Sequence, residues 1–338
     1  MTNIISKKVL QDPLSDKNVL PKYALTLNLT HWSPTSLGMA DGPFIYKYLV
    51  LSKEEKNRLP ANSQMKAGIA CGQATQNVLA DVLWKINSAR KILPTKHIKL
   101  TKEVALQNAI EKFKEYQAND EKDQRKKDHY LETIPQTVKQ IFLGLEKLTG
   151  DSASAPEVTC EKCISSNHSD LLVPIIGRSD FEFGSFSGGV PSPGLFLTEL
   201  KTIWDRFGKL KKDGSYTLIK ARLPSTPSEA HLCQVAFYSS FYDYKFPIYL
   251  LYACSDDYEI FDSSNCPGLT KEGLKKNFNK LVSVAKRRER MLLRYNDLTR
   301  NEIIRNVVAD TDAGFSHPFF WNVGPEFLKR AHDLWNSE

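Results

Sequence analysis

The chain has 338 residues, of which 41% are hydrophobic and 25% charged, the make-up of a folded globular protein and not of a disordered one. Its formal net charge of +7 admits a polyanionic partner without requiring one. Cys71, Cys160, Cys163, Cys233, Cys254 and Cys266 are too sparse for a disulfide-stapled scaffold, no run reaches the roughly 18 apolar residues of a membrane helix, and the opening residues lack the apolar core of a secretion signal. The expectation is a reduced, soluble protein, cytoplasmic or otherwise intracellular, with no membrane partner.

In chain order, residues 1–30 read as an irregular leader. Residues 66–87 read as a helix, with Ile69, Val78, Leu79, Val82 and Leu83 on one side. Residues 101–149 form a second helical region. In its later half Ile134, Val138, Ile141, Leu145 and Leu148 recur at helical spacing. The charge run at 121–128 reads as a solvated helix face. Residues 150–156 are a loop by composition, and short β-type runs follow. Residues 158–164 and 171–177 suggest a hairpin, then come 178–184, a glycine- and serine-rich turn, and a run at 195–202. A basic loop spans 204–228. A helix at 229–242, an apolar strand at 248–254, a short strand at 258–261 and a long basic helix at 270–295 complete the pattern, with shorter helical pieces closing the chain.

This order predicts an α/β fold, a mixed central sheet between helices with an N-terminal helical region. The expected divisions are 1–150 (N-terminal segment and helices packing on the core), 151–265 (the core) and 266–338 (basic C-terminal helices).

The residues with most chemistry in them are Asp180 and the triplet Glu199-Leu200-Lys201. Alternate residues of a strand share a face, so Glu199 and Lys201 point together, while Thr198 and Leu200 point the other way. The glycine-rich turn between residues 180 and 199 allows the two segments to pair antiparallel, so that two carboxylates and an ammonium meet. Two close carboxylates repel unless a cation intervenes. Magnesium suits such a site because it commonly takes one or two carboxylates plus water and phosphate oxygens. A strand-end ion pair explains the E-x-K triplet equally well.

Gly177–Asp180, Glu199–Lys201 and Gln234–Tyr238, read as G-x-x-D, E-x-K and Q-x-x-x-Y, resemble in order and element type the RecB-like exonuclease branch of the PD-(D/E)XK nucleases. The segment Trp32–Leu37, the aromatic run Phe44–Tyr48, and Gly72–Gln76 in place of a G-x-x-x-H helix motif extend the likeness over about residues 31–262. The resemblance implies a restriction-endonuclease-like core and a magnesium-dependent exonuclease acting on DNA, with manganese as a possible substitute ion. It implies Asp180, Glu199 and Lys201 as catalytic residues. Asp180, Glu199 and the Leu200 backbone carbonyl would be metal ligands, with Gln76 standing where relatives carry a histidine. It also implies that Gln234 and Tyr238 border the site and touch the DNA strand. Some relatives carry an iron–sulfur cluster; here Asp41 and Gly42 stand where they have a cysteine before the proline, so no cluster is expected.

Arg206, Lys209, Lys211 and Lys212 follow Lys201 closely and are the expected phosphate contacts, with Phe207 and Tyr216 as stacking candidates. The helix at 271–294 carries nine basic residues, and its exposed face is a second candidate for phosphate contact. Cys160 and Cys163 lack the second pair of a closed zinc site and read as structural. His231 could reach the cleft from one turn before Gln234. The rival reading is a non-catalytic nucleic-acid-binding protein on the same fold, which the loss of the helix histidine at Gln76 keeps open. The sequence points to no particular protein partner.

Overall fold

At residues 248–253, Ile248, Leu250 and Tyr252 belong to one apolar cluster and Leu251 and Ala253 to another. A strand buried on both faces has this pattern, and it marks the centre of the sheet. The computed structural model describes residues 20–60, 62–89, 96–149, 158–166, 168–184, 186–187, 190–191, 195–212, 215–321 and 323–336, excluding the side chains of 80–101, 158–163, 186–187 and 190–191.

The sheet has five strands: β1 (Val158–Ser166), β2 (Ile175–Phe183), β3 (Phe196–Thr202), then, past a separate hairpin of β4 (Arg206–Leu210) and β5 (Tyr216–Ile219), β6 (Ile248–Ala253) and β7 (Tyr258–Phe261). Its spatial order is β1-β2-β3-β6-β7. Only β3 and β6 run parallel; the other neighbours are antiparallel, so the sheet is mixed as expected. The crossover from β3 to β6 contains a helix, as a parallel pair requires.

Helix α1 (Lys22–Leu27) lies within the stretch read as irregular. Its six residues are too few for a periodic signal, and burial of Tyr23, Ala24 and Leu27 holds it in place. Helices α2 (Ser63–Ala89), α3 (Lys96–Lys114) and α4 (Glu121–Thr149) follow. They form the cluster that covers one sheet face, over Phe181, Phe183, Leu200 and Leu251. The other face carries α5 (Glu229–Phe241) and α6 (Lys271–Leu293), with α7 (Arg300–Ala309) and the N-terminal segment beside them. Helix α8 (Pro325–Asn336) packs on Tyr46 and Phe320 in a third, smaller cluster.

The boundaries at 150 and 265 do not separate independent cores. Tyr23 and Trp32, Leu197 and Leu250, and Leu281 and Ile303 all share one cluster. Two other expectations also change. The basic stretch 204–228 contains the β4–β5 hairpin. The charge run at 121–128 is not wholly solvated: Asp123 is buried, where it accepts from the backbone N–H of Ser63 and of Asn119. Among the described residues no helix is long and apolar enough to cross a membrane.

Arg288 and Glu289 hold the N-terminal segment to this frame. Buried Arg288 donates to Asp41 Oδ1 and to the carbonyls of Ser36 and Met39, and lies 4.0 Å from the Phe44 ring centroid. Buried Glu289 accepts from Trp32 Nε1 and from the N–H groups of Leu172 and Val173. The Trp32 backbone in turn bonds to Pro174 and Ile176, at the start of β2.

Candidate active site

β2 and β3 pair over Phe181–Phe183 and Phe196–Thr198, and the next step of that register would set Asp180 opposite Glu199. The ladder ends before that step. In its place the Leu200 N–H donates to Asp180 Oδ2 at 2.9 Å, so the strands part around the two carboxylates. Face alternation also slips here. Ile175 belongs to the α5-side cluster, while Phe181 and Phe183, also odd-numbered, belong to the α2-side cluster. On the α5 side, a Cβ on Gly177 would stand 3.0 Å from both the Phe237 and Tyr238 rings. The slip turns Asp180 toward α2, where the Gln76 amide nitrogen lies 3.3 Å from its Oδ1.

Glu199 and Lys201 point together, as strand geometry requires. Lys201 Nζ donates to Glu199 Oε1 at 2.7 Å and to Gln234 Oε1 at 3.0 Å. Gln234 Nε2 donates to Glu199 Oε1 at 2.7 Å and to the Tyr238 hydroxyl at 3.0 Å. That hydroxyl donates to the Arg178 carbonyl at 2.6 Å. This chain of bonds ties α5 to β2 and β3 and fixes the Glu199 carboxylate. Glu199 is 2% exposed, and no N–H or hydroxyl among the described residues donates to its Oε2; its carboxylate meets the Asp180 carboxyl, a contact that helps to raise the pKa of Asp180.

Burial, and then the charge of Glu199, holds the Asp180 carboxyl well above the usual carboxylate range. Burial works against the Lys201 ammonium, but Glu199 and Asp180 outweigh it and raise its pKa. Lys201 is therefore a fixed positive charge. His231 Nδ1 lies 2.7 Å from the Tyr252 hydroxyl, and burial followed by the Lys201 charge pushes His231 down to about 4. It is neutral at pH 7 and bonded away from the acids.

A buried carboxylate set against a second carboxyl whose ionisation is held back has the chemistry of a hard-cation site. Among the described residues no group of three or more His, Cys, Asp or Glu could hold a metal ion. The protein could offer two carboxylates, leaving other positions to water and substrate oxygens, as is common for magnesium.

Asp180, Glu199, Lys201, Leu200, Gln76, Gln234 and Tyr238 are thus brought together, though several in roles other than those expected. Leu200 gives Asp180 its N–H, a donor. Gln76 likewise turns its amide nitrogen, and not its carbonyl oxygen, to Asp180. Tyr238 is 3% exposed with its hydroxyl engaged, so it braces Gln234 and β2 and is not open to a DNA strand. Gln234 bonds both Glu199 and Lys201.

Arg206, Lys209, Lys211 and Lys212 lie exposed on the β4–β5 hairpin. Phe207 and Tyr216, expected to stack on bases, are engaged within the protein: Phe207 against His129, and Tyr216 beneath Lys122 and Arg125. On α6, Lys280, Lys286, Arg287, Arg288 and Arg294 form ion pairs with Glu229, Asp170, Asp41 and Asp310. That leaves Lys271, Lys275, Lys276 and Arg290 exposed without a described ion pair. The side chains of Cys160, Glu161 and Cys163 lie outside the described residues.

Glu182 was not a candidate. It is fully buried, two residues beyond Asp180, and accepts from Ser179 Oγ and the Tyr242 hydroxyl. Its signal in the sequence is an acid between two phenylalanines. No family model, curated protein or solved structure matches this chain.

Proposed function

We propose that this chain is a metal-dependent deoxyribonuclease with a restriction-endonuclease-like core of the PD-(D/E)XK class, RecB-like branch. In this reading it is an exonuclease acting at DNA ends in recombination, repair or replication. The observation that carries the reading is the convergence of Asp180, Glu199 and Lys201, with a buried Glu199 carboxylate set against the Asp180 carboxyl. Holding two carboxyl groups together in a buried site is costly, which favours a site organised for a bound cation.

Asp180 and Glu199, with the Leu200 carbonyl, would hold magnesium or manganese. When bound, the ion supplies Lewis-acid polarisation of a phosphoryl oxygen and lowers the pKa of a water. The residues supply position and charge. Lys201 keeps its proton, so its ammonium orients the attacking water and stabilises negative charge developing on the phosphate. Gln234 holds Glu199 and Lys201 in register through one amide. Arg206, Lys209, Lys211 and Lys212 supply phosphate contacts that hold DNA without reading its sequence.

One observation favours the rival, a nucleic-acid-binding protein without catalysis: Gln76 and Leu200 both donate to Asp180, satisfying it with hydrogen bonds in place of an ion. Incubation of labelled linear and circular DNA with magnesium or manganese, and then with chelator, separates the two. The nuclease reading expects metal-dependent loss of linear DNA only, abolished by Asp180→Ala with the fold intact. Binding without cleavage, or equal activity in Asp180→Ala, overturns it.

A further inference from the structure

His231 stands beside Lys201 and has no part in the chemistry above. It sits on α5 one turn before Gln234, which bonds Glu199 and Lys201. In the parallel ladder of β3 and β6, Lys201 is opposite Tyr252, and the Tyr252 hydroxyl lies 2.7 Å from His231 Nδ1. The two rings have their centroids 5.7 Å apart. Because β2 and β6 flank β3 on opposite sides, His231 meets Lys201 from the side away from Asp180.

The bond to Tyr252 sets which nitrogen carries the ring proton. Burial raises the Tyr252 hydroxyl to about 12, so it stays protonated, and it accepts from the Ser228 backbone N–H. Its own proton therefore goes to His231 Nδ1, and the neutral ring carries its hydrogen on Nε2. Among the described residues nothing bonds Nε2, and on the half-buried ring that nitrogen is open to solvent. The neighbouring donors are spent. The Gln234 amide nitrogen serves Glu199 and Tyr238, and the Tyr238 hydroxyl serves the Arg178 carbonyl. Lys201 gives two of its three N–H groups to Glu199 and Gln234. One ammonium N–H and the His231 Nε2–H are left, side by side.

We infer that His231 contacts the substrate, donating from Nε2 to a phosphate oxygen of the nucleic acid next to the oxygen that Lys201 neutralises. The inference rests on the nuclease reading above. A phosphodiester carries two non-bridging oxygens, and donors fixed in advance stabilise the charge that builds on them. A neutral donor adds this contact without a second positive charge for Lys201 to repel.

Two substitutions separate contact with substrate from support of the fold, each checked by thermal melting. The amide nitrogen of asparagine falls near the place of Nδ1, and that of glutamine near the place of Nε2. His231→Asn thus faces Tyr252 without reaching the phosphate, whereas His231→Gln reaches it without the bond to Tyr252. In nuclear magnetic resonance of full-length protein with isotope-labelled histidine, the ring signal missing from His231→Asn should show the neutral Nε2–H form at pH 7. Saturating thymidine 3′,5′-bisphosphate, added in chelator, should move that signal. Calorimetry should show His231→Asn binding this probe at least tenfold more weakly, the size of one hydrogen bond to a charged group. His231→Gln should stay within about threefold of wild type, because it keeps a donor of the same kind. A ring protonated on Nδ1, an unmoved signal, or the reverse order of the two folded variants overturns the inference. With magnesium, kcat/KM on linear DNA should fall at least tenfold in His231→Asn and follow the same order. Cleavage that does not distinguish the variants sinks this inference alone. Bisphosphate binding in the expected order, with no cleavage by any of the proteins, sinks the nuclease reading and leaves the phosphate contact standing.

Discussion

Asp180 is held by two donors and repelled by a neighbouring carboxylate. Its folded-state pKa is raised, so the native protein keeps a proton that the unfolded chain gives up above about pH 4. Below that pH both states are protonated and the group contributes nothing. As pH rises toward and through the folded-state value, the native state binds more protons than the unfolded one, and stability falls. Asp180→Asn removes this penalty. In chelator, thermal melting should show the variant more stable than wild type at pH 8 and equal to it at pH 4. A lower melting temperature for the variant at pH 8 would contradict the assigned environment. Lys201→Ala acts in the opposite sense, because it leaves Glu199 buried and without its cation. Urea denaturation should show a loss of about 3–5 kcal/mol, the range for breaking one side of a buried pair.

Helix α2 is the element on which the site can be separated from the fold. Gly68 and Gly72 stand one turn apart, with different surroundings. A Cβ at Gly68 would lie 2.7 Å from Thr202 Oγ1, whereas at Gly72 it would meet nothing within 4 Å. Glycine within a helix costs roughly 0.5–1 kcal/mol relative to alanine. Gly72→Ala should therefore raise the melting temperature and Gly68→Ala should not, in parallel thermal scans. Much of the site at this scale is legible in the sequence. The pairing of Glu199 with Lys201 follows from strand alternation alone, and that of Gln234 with Tyr238 from the helical repeat. Where Asp180 turns is not legible, because the alternation slips within its own strand and only tertiary packing against Gln76 and Leu200 sets its direction. The β4–β5 hairpin is equally hidden, since a four-residue strand inside a basic stretch leaves too short a pattern to read.

At the scale of the whole molecule, the described N-terminal segment and α6 lock together beside the sheet. Asp41, from the N-terminal segment, pairs with Arg287 and Arg288 of α6, while Glu289 accepts from Trp32. Helical periodicity suggests an outward basic face for α6, but it cannot show that Arg288 turns inward, because its partners lie about 250 residues earlier. Arg288→Met should cost about 3 kcal/mol or more in urea denaturation, since the Ser36 and Met39 carbonyls lose their donor and Asp41 keeps only Arg287. The most direct test of the central claim is manganese binding per chain, followed by loss of the free-ion electron paramagnetic resonance signal. Saturable binding by the wild type that is lost in folded Asp180→Asn and Glu199→Gln is the expected result. Identical binding curves for wild type and both variants, or no binding by any of them, would contradict the account.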